Sequence, residues 1–424
     1  MLFLYRIFFP FAFLFFAPGL VFKLIRRPGR KKNYAERFGI FSRERAEALS
    51  AMKGAVWLHA VSVGETNVAL TLLKKWAAEN PKRKFVFSTT TTTSQEIAWN
   101  KVPPGVEVFF CPVDSALFVK KALRMIRPSA LVIFETEIWP NLITLSRQSG
   151  AKVILVNARI SDRSVKGYQR FRRFFSPVLD SFHRICVQTE LDRERFAAVT
   201  SKAELTVTGN IKFDQAPAPD LQGIDLSEYF GDGIVSVLAC STHAPEEKLI
   251  VDSYRKARET NPALKLVIVP RHAERGNELE AMLATSGLRY HRRTSKKPPE
   301  EKVDCLLADT TGELVKFIKS SDVILMGKTF CQHHEGQNII EPAALGKTIV
   351  TGPKMINFRQ AFEALLKGGG VMSLASDSEL PNAIRILAAD PVLRNRLGAN
   401  ARNAVALHAG ALAKTITILE ENLP

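Results

Sequence analysis

The stretch WLHAVSVGE, residues 57–65, is apolar and β-branched until it reaches Gly64 and Glu65. A short apolar run of this kind predicts a buried strand. In an open α/β sheet, the carboxyl ends of the strands lead into the loops where ligands bind. Glu65 is therefore a candidate working acid or base, because a positioned carboxylate can take a proton from a substrate. The structural alternative is a glutamate that only stabilises the first turn of a helix.

Further candidate residues follow later strands of the first half. The stretch FETEIWPN, residues 134–141, sets Glu135 and Glu137 on the same side of an extended chain at a strand end. The stretch NARISDRSVKGYQRFRRFF, residues 157–175, alternates cations with aromatic residues. Its cations are Arg159, Arg163, Lys166, Arg170, Arg172 and Arg173. Such a tract is suited either to nucleic acid or to the head group of an acidic lipid.

In the second half, polar side chains follow two more predicted strands. ACSTHAPEE places Ser241, Thr242 and His243 between a strand and the start of a helix, and VPRHAERGNEL places Arg271 and His272 after another strand. An arginine can bind phosphate or carboxylate through two parallel hydrogen bonds. These strand ends are therefore candidates for anion binding.

The segment GQNIIEPAALGK has two interpretations. Asn338 can cap a helix while Glu341, three residues on, points back as in a capping box. A helix N-terminus preceded by Gly336 is also suited to a phosphate, with Glu341 free to accept a hydrogen bond from a ribose hydroxyl. The residues alone leave both roles open.

Composition limits the possible classes of protein. A chain of 424 residues with 46% hydrophobic content exceeds the usual size of a single core. The excess of 59 Lys and Arg over 42 Asp and Glu gives a net charge of +17, which favours anionic partners. The five cysteines lie far apart without a CxxC pair, and the histidines lack metal-ligand spacing. A disulfide framework and a zinc site are thereby disfavoured, and His333-His334 is interpreted as a surface or turn pair.

Strand-like runs alternate with helix-length segments along most of the chain, which predicts βαβ units and parallel sheets. The proline-containing DQAPAPD, residues 214–220, interrupts this pattern and suits an interdomain linker. We therefore expect two α/β domains that face each other across a cleft. The predicted strands are AVWLHAVSV, KFVFST, VEVFF, ALVIFE, KVILVNA, RICVQT and LTVTGN before the linker, and IVSVLACS, LKLVIVPR, VDCLLAD, VILMGK and KTIVTGP after it.

The first 32 residues predict a membrane-associated segment. The apolar run of residues 7–24 is barely long enough to span a bilayer, so it either spans the membrane or lies in its interface. The basic cluster at residues 26–32 would hold the following chain in the cytoplasm. A cleaved signal peptide is disfavoured, because that cluster follows the apolar run instead of preceding it.

Taken together, these stretches resemble the family of 3-deoxy-D-manno-octulosonic acid (Kdo) transferases of lipopolysaccharide synthesis. The blocks HAVSVGE, FETEIWPN, NARISDRS, GNIKFD, STHAPEE, VPRH, DTTGEL and GQNIIEPAALGK occur in the order found in the family. The resemblance implies a B-type glycosyltransferase with two Rossmann-like domains and an N-terminal membrane-associated helix. The implied domains are a membrane anchor at 1–32, an acceptor domain at 33–216 and a CMP-Kdo-binding domain at 217–424, whose last helix can return to the acceptor domain.

The resemblance also implies roles for the candidate residues. Glu65 becomes the general base, and the acceptor side comprises Glu135, Glu137, Arg159 and Lys212. The donor side comprises Ser241, Thr242, Arg271, His272, Gly336, Asn338 and Glu341. The implied partners are CMP-Kdo, a lipid A precursor (lipid IVA) and membrane lipids, with no metal, no cofactor and no nucleic acid. The implied location is the cytoplasmic face of the inner membrane.

The chain departs from the family pattern at two loops. HHEGQN and MGKTF stand where the family commonly has paired glycines, so Lys328 occupies the place of a small residue beside the donor site. Two other hypotheses remain open from the sequence. One is a B-type glycosyltransferase with a different nucleotide sugar, and the other is a non-catalytic protein that binds anionic surfaces.

Overall fold

The computed structural model describes residues 1–9, 11–13, 33–215, 217, 220–295 and 299–423. Most of the predicted membrane segment and its basic flank, residues 14–32, lies outside these ranges. The chain forms two compact units: the first comprises Met1–Asp214 and Gly410–Pro424, and the second comprises Gln215–Ala409. A seven-stranded parallel sheet lies in each unit.

The first sheet has the strand order β3-β2-β1-β4-β5-β6-β7. Its strands are β1 (Val56–Ala60), β2 (Phe85–Thr89), β3 (Glu107–Phe110), β4 (Ala130–Phe134), β5 (Lys152–Ala158), β6 (Arg184–Val187) and β7 (Glu204–Val207). The order reverses direction between β1 and β4, and a doubly wound sheet opens a ligand-binding crevice at such a point. Glu65, in the first turn of the helix after β1, and Glu135, directly after β4, follow these two strands.

The second sheet repeats this design with the order β10-β11-β9-β8-β12-β13-β14. Its strands are β8 (Val235–Thr242), β9 (Leu264–Pro270), β10 (Tyr290–Arg292), β11 (Cys305–Leu307), β12 (Val323–Met326), β13 (Thr348–Thr351) and β14 (Met372–Ser373). The order reverses between β8 and β12, whose ends carry Ser241 and Gly327. The sequence predicted five of these strands and missed the short edge strands β10 and β14.

Helices cover both faces of each sheet. In the first unit they are α1 (residues 2–9 and 11–13), α2 (Arg43–Ala51), α3 (Val63–Glu79), α4 (Thr92–Lys101), α5 (Ala116–Ile126), α6 (Pro140–Gln148), α7 (Asp162–Arg170), α8 (Arg172–Leu179), α9 (Glu190–Ala197) and α18 (Ala411–Asn422). In the second they are α10 (Ser227–Phe230), α11 (Glu246–Arg258), α12 (Gly276–Ala284), α13 (Leu314–Ser320), α14 (Ile340–Ala344), α15 (Arg359–Lys367), α16 (Leu380–Ala389) and α17 (Pro391–Ala406). Over the described part of the chain, no helix has the length and apolar character that a membrane crossing requires.

Alternate residues of β1 show why the strands are apolar throughout. Trp57 packs into one hydrophobic cluster, whereas Val56 and Leu58 pack into a second cluster on the other face of the sheet. Both faces are buried, so a parallel strand of this kind has no solvent-facing side for polar residues. The polar groups therefore collect at the strand ends.

The last helix, α18, belongs to the first unit. The Asp214 carboxylate accepts hydrogen bonds from the backbone N–H groups of Gly410 (2.6 Å) and Leu412 (2.8 Å), at the start of that helix. Near the other end of the helix, Glu420 forms an ion pair of 2.9 Å with Arg83. Leu419 is fully buried in the core. The two ends of α18 are thus bound to the first sheet and its helices.

Candidate active site

Glu65 has the structural role that the sequence offered as one of two, because it caps the start of a helix. It lies in the first turn of α3, where its N–H donates to the hydroxyl of the N-cap residue Ser62 at 3.2 Å. In return, the Ser62 hydroxyl donates to Glu65 Oε1 at 2.7 Å, and the Val61 N–H donates to Oε2 at 2.9 Å. This reciprocal pattern is a variant of the capping box. It fixes the carboxylate of Glu65 in one orientation at the carboxyl edge of the first sheet.

The environment of Glu65 changes its proton affinity. Burial raises the pKa of Glu65 to about 7, with further increments from the negative charges of Glu137 and Glu135. The hydrogen bonds from Val61 and Ser62 oppose this rise. A carboxylate with a pKa near neutrality accepts a proton more readily than an ordinary glutamate does, while remaining ionised often enough to act.

Glu135 is held by two of the predicted acceptor-side cations. Its carboxylate is 2.9 Å from Lys212 Nζ and 3.5 Å from Arg159 Nε. Its backbone has a φ of +58°, a left-handed conformation that non-glycine residues rarely adopt and that is common at functional sites. Glu135 follows β4, Arg159 follows β5 and Lys212 lies in a 3₁₀ turn, so the fold gathers residues from distant parts of the sequence.

Glu137, the third carboxylate near Glu65 and Glu135, is linked through Trp139 to the buried strand β1. The Trp139 Nε1–H donates to Glu137 Oε2 at 2.9 Å, and burial, reinforced by the charge of Glu135, raises the pKa of Glu137. The Trp139 ring meets the ring of His59 edge to face, with centroids 5.9 Å apart.

His59 is a residue that sequence reasoning missed. It is fully buried in β1, its Nδ1 lies 2.9 Å from the Ser88 hydroxyl, and its Nε2 has no hydrogen-bond partner among the described residues. Burial lowers the pKa of His59 to about 4, so the imidazole is neutral at physiological pH. A histidine inside the otherwise apolar run WLHAV was the available signal.

The predicted donor residues gather at the carboxyl edge of the second sheet. Ser241, at the end of β8, is buried and has a φ of +56°. The next residue, Thr242, is fully buried, and its hydroxyl has no partner within the described ranges. The N–H of Arg271 donates to the Thr242 carbonyl oxygen at 3.0 Å, which brings the end of β9 to the end of β8. The Arg271 side chain is exposed.

Three imidazoles lie beside these strand ends. The ring of His243 is 5.7 Å from that of His272 and 6.2 Å from that of His333, measured between centroids. Burial, followed by the charge of Lys328, lowers the pKa of His243. His333, which the sequence placed in a surface or turn pair, is half-buried, and its Nε2 lies 3.0 Å from the carbonyl oxygen of Ala244. It joins the cluster because the loop after β12 folds back over the loop after β8.

Glu246 holds these two loops together. Its fully buried carboxylate accepts hydrogen bonds from the N–H groups of His243 at 3.0 Å and of Lys328 at 2.8 Å. It also accepts from Thr329 at 2.9 Å and Phe330 at 3.0 Å. The sequence identified Glu246 only as part of a helix start. Its role depends on the pairing of β8 with β12, which lie far apart in the sequence.

Lys328, in the loop after β12, has a left-handed backbone. Its φ is +61°, in the region that glycine adopts most readily. The residue before it, Gly327, cannot be replaced by a residue with a side chain without a shift of the backbone. A Cβ at that position would lie 2.3 Å from the Ser241 carbonyl oxygen.

Residues 336–341 lie against the loop after β12. The predicted capping box is wrong, because it is displaced by one residue from the observed start of the helix. Helix α14 begins at Ile340, and Asn338 Oδ1 accepts from the Ile340 N–H at 3.1 Å, so Asn338 precedes the N-cap position. Burial raises the pKa of Glu341, and a hydrogen bond with the Asn338 side chain opposes the rise. Gly336 adopts a φ of +70° and donates its N–H to the Lys328 carbonyl oxygen at 2.9 Å.

Within the described ranges, no three side chains of His, Cys, Asp or Glu are grouped so that they could hold a metal ion. All five cysteines are free, and four of them are buried: Cys111, Cys186, Cys240 and Cys305. The expectation that the reaction uses neither metal nor cofactor stays a prediction.

Comparison with known proteins defines the family. A family model described as 3-deoxy-D-manno-octulosonic-acid transferase (kdotransferase) matches residues 32–215. The 3-deoxy-D-manno-octulosonic acid transferase of Chlamydophila psittaci is 30% identical over 380 residues, which cover 87% of this chain and 84% of that protein. The chain belongs to the Kdo transferase family. The Kdo transferase of Haemophilus influenzae is 28% identical over 403 residues, or 94% of this chain and 93% of its own.

Solved structures place this Kdo transferase family member among B-type glycosyltransferase folds. A glycosyltransferase from Rickettsia africae has a TM-score of 0.57 at 11% identity and covers 87% of this chain and 98% of its own. MurG from Acinetobacter baumannii has a TM-score of 0.54 at 12% identity, with 87% and 99% covered. At such identities the likeness shows the fold alone. The predicted fold class, two Rossmann-like domains, is confirmed.

Proposed function

We propose that this protein transfers Kdo from CMP-Kdo to a hydroxyl group of a lipid A precursor, with inversion at the anomeric carbon. The observation that carries the proposal is Glu65, a buried carboxylate of raised pKa beside Glu135 and Glu137. It stands at the strand reversal of the first sheet, where an α/β fold binds its ligand. Membership of the Kdo transferase family supports the choice of sugar.

Glu65 acts as the general base. The acceptor hydroxyl attacks the anomeric carbon of Kdo while Glu65 takes its proton, and the bond to CMP breaks with its electron pair leaving on the phosphate oxygen. A sugar hydroxyl is a weak nucleophile until a positioned base accepts its proton. The bonds from Ser62 and Val61 orient the carboxylate, and each of its oxygens keeps a further lone pair for the substrate.

The acceptor-side residues would bind the sugar and its anionic groups. Arg159 has a side-chain exposure of 57%, so its guanidinium can reach a ligand while Glu135 restrains it. Lys212 is more buried and pairs with Glu135 more closely, which leaves it as a fixed positive charge at the acidic group. These cations suit a phosphorylated acceptor.

The donor-side residues would bind CMP-Kdo. The exposed side chains of Arg271 and His272 suit the phosphate, whose negative charge increases as the bond to Kdo breaks. The unpartnered hydroxyl of Thr242 and the backbone around Ser241 lie at the adjoining strand end. Beyond the loop that begins at Gly336, Asn338 would support Glu341, which would accept hydrogen bonds from the ribose hydroxyls.

We propose further that the protein works at the cytoplasmic face of the inner membrane. Helix α1 exposes large apolar side chains, with exposed fractions of 72% for Phe3, 63% for Phe8 and 68% for Phe11. The Phe174 ring of α8 lies 5.6 Å from the Tyr5 ring of α1, so α8 packs beside this helix. The basic face of α7–α8 consists of the exposed cations Arg163, Lys166, Arg170, Arg172 and Arg173. Apolar and cationic surfaces side by side suit an anionic bilayer.

Mass spectrometry of lipid IVA after incubation with the purified protein and freshly generated CMP-Kdo tests the function. We expect a mass gain of one or more Kdo units. The Glu65→Ala variant should lose turnover by about 100-fold or more, the range for removal of a general base. The matched control Glu44→Ala, an exposed glutamate on α2, should retain full activity.

Three outcomes would contradict the assignment. Near-normal turnover by a folded Glu65→Ala variant would show that another group is the base. An inactive wild-type protein whose nucleotide site prefers UDP or ADP over CMP would indicate a different nucleotide sugar. Tighter binding to random DNA than to lipid IVA, together with inactivity, would favour a non-catalytic anion-binding protein.

A further inference from the structure

The two sides of α1 differ in character. Phe3 and Phe8 are exposed to solvent, as described above, whereas Tyr5 and Arg6 are partly buried and bind polar groups of the first unit. An amphipathic segment that only enters a membrane needs no specific polar partners in the protein. The hydrogen bonds of Tyr5 and Arg6 therefore call for a separate explanation.

These hydrogen bonds converge on the start of α6. The Tyr5 hydroxyl donates to Asp114 Oδ2 at 2.8 Å. Arg6 donates from Nε to Asn141 Oδ1 at 3.0 Å and from an Nη group to Thr144 Oγ1 at 3.2 Å. Asn141 is the second residue of α6, and Thr144 lies one turn in.

Asp114 is the cap of this helix, although it lies far from it in sequence. Its carboxylate accepts from the N–H of Asn141 at 3.0 Å and from the N–H of Leu142 at 2.8 Å. Its backbone carbonyl accepts from Asn141 Nδ2 at 2.6 Å. The N-terminal N–H groups of a helix have no partner within the helix, so a buried helix start depends on such external acceptors. Tyr5 binds the very carboxylate that supplies them.

The start of α6 also anchors the acidic segment of the active site. The helix begins at Pro140, directly after residues 135–139. One end of this segment is fixed by β4, and the other by the first turn of α6. Between them, Trp139 orients Glu137 through its Nε1–H. A shift of the first turn of α6 would therefore move Trp139, Glu137 and the field that acts on Glu65.

We propose that Tyr5 and Arg6 are positioning residues for this acidic segment, residues 135–139, so that the seating of α1 on the first unit sets the geometry of the catalytic carboxylates. The inference rests on the proposed function for its catalytic consequence. Its structural core, the coupling of α1 to the first turn of α6, is independent of which sugar is transferred. Helix α1 would then have two roles, membrane attachment through its exposed apolar side and positioning of the acidic segment through its buried side.

The test uses the full chain in detergent with the double variant Tyr5→Phe/Arg6→Gln. Hydrogen exchange at the amides of Asn141 and Leu142 should become faster, because Asp114 loses its hydrogen bond from Tyr5 and Asn141 loses Arg6. The kcat for Kdo transfer should fall between about tenfold and 100-fold, as expected for a small displacement of reacting groups, with KM for CMP-Kdo unchanged.

Three companion variants separate positioning from general damage. Phe3→Ser/Phe8→Ser alters only exposed side chains of α1 and should leave both the exchange rates and kcat in detergent unchanged. Tyr5→Phe alone removes one hydroxyl group and provides the answer if the double variant fails to fold. Tyr5→Phe/Arg6→Lys retains the positive charge and a donor group at position 6, so it should keep part of the kcat that Tyr5→Phe/Arg6→Gln loses.

Unchanged exchange at Asn141 and Leu142 in Tyr5→Phe/Arg6→Gln would overturn the proposal. So would an equal loss of kcat in Phe3→Ser/Phe8→Ser. An inactive wild-type protein would contradict the proposed function instead, and the exchange measurement would still decide whether α1 is coupled to α6.

Discussion

At the scale of single residues, Glu65 caps a helix and is also the proposed base of the reaction. Its capping bonds hold the carboxylate still, and burial, followed by the charges of the neighbouring carboxylates, makes it more basic. A base must be deprotonated to act, so kcat should rise with pH through a midpoint near the pKa of about 7. Below that pH the protonated carboxyl group can no longer accept the acceptor proton.

The charge of Glu137 gives this profile a direct test. Glu137→Gln removes a negative charge that raises the pKa of Glu65. The acidic limb of kcat should therefore move to lower pH in this variant. The measurement is kcat as a function of pH, at saturating CMP-Kdo and acceptor. Glu190→Gln, an exposed change on α9, is the control and should leave the limb in place. A limb that stays in place in Glu137→Gln would mean that Glu137 does not set the basicity of Glu65.

Single residues also show which parts of the candidate site could be predicted from the sequence. Glu65 and Glu135 were predicted as site residues because each follows an apolar strand run, and the structure brings them to one edge of one sheet. His59 and His333 were not predicted. Their surroundings come from Trp139 and from the loop after β8, which are remote in sequence. The pattern around a residue gives its secondary structure, but not its partners across the fold.

At the scale of elements, burial on both faces made the central strands easy to predict and left the edges undetected. All seven strands of the first sheet coincide with recognisable apolar runs in the sequence. β10 has only the three residues Tyr290–Arg292, with polar character, and β14 has only two. A short edge strand has one neighbour and little buried surface, so its sequence carries a weak signal. The capping box at Asn338 was wrong because α14 begins one residue later than the motif indicated.

The loop after β12 provides an element-scale prediction. Glu246→Ala would leave four backbone N–H groups, those of His243, Lys328, Thr329 and Phe330, without their buried acceptor. We expect the free energy of unfolding to fall by at least about 2 kcal/mol, since unpaired buried donors are costly. CMP binding should weaken as well, because both loops border the donor residues.

Urea unfolding and calorimetric titration with CMP would measure these effects. Glu363→Ala, which removes an exposed i,i+4 ion pair on α15, is the control and should change the free energy of unfolding by less than about 0.5 kcal/mol. If Glu246→Ala matched this control in both measurements, the carboxylate would not be what holds the two loops.

At the scale of the whole molecule, only part of the net charge of +17 is carried by cations that are free to meet a partner. Several cations are paired within the fold, such as Arg45 with Glu36 and Arg275 with Glu247. Those of the basic face of α7–α8 are exposed, and α8 packs beside α1, the helix with the apolar surface. A uniform attraction to any polyanion would follow from net charge alone, whereas attachment to a membrane requires cationic and apolar groups on the same side.

Vesicle flotation separates these two forms of attraction. Lys166→Gln/Arg170→Gln should weaken binding to anionic vesicles at low salt by roughly 30-fold, at about 1 kcal/mol for each surface cation. The control Lys248→Gln/Lys367→Gln changes the net charge equally at exposed positions of the second unit and should have little effect. Phe3→Ser/Phe8→Ser should weaken binding at high salt too, because apolar contact is not screened. Equal losses in the two charge variants would mean that net charge, and not the face of α7–α8 beside α1, brings this enzyme to a membrane.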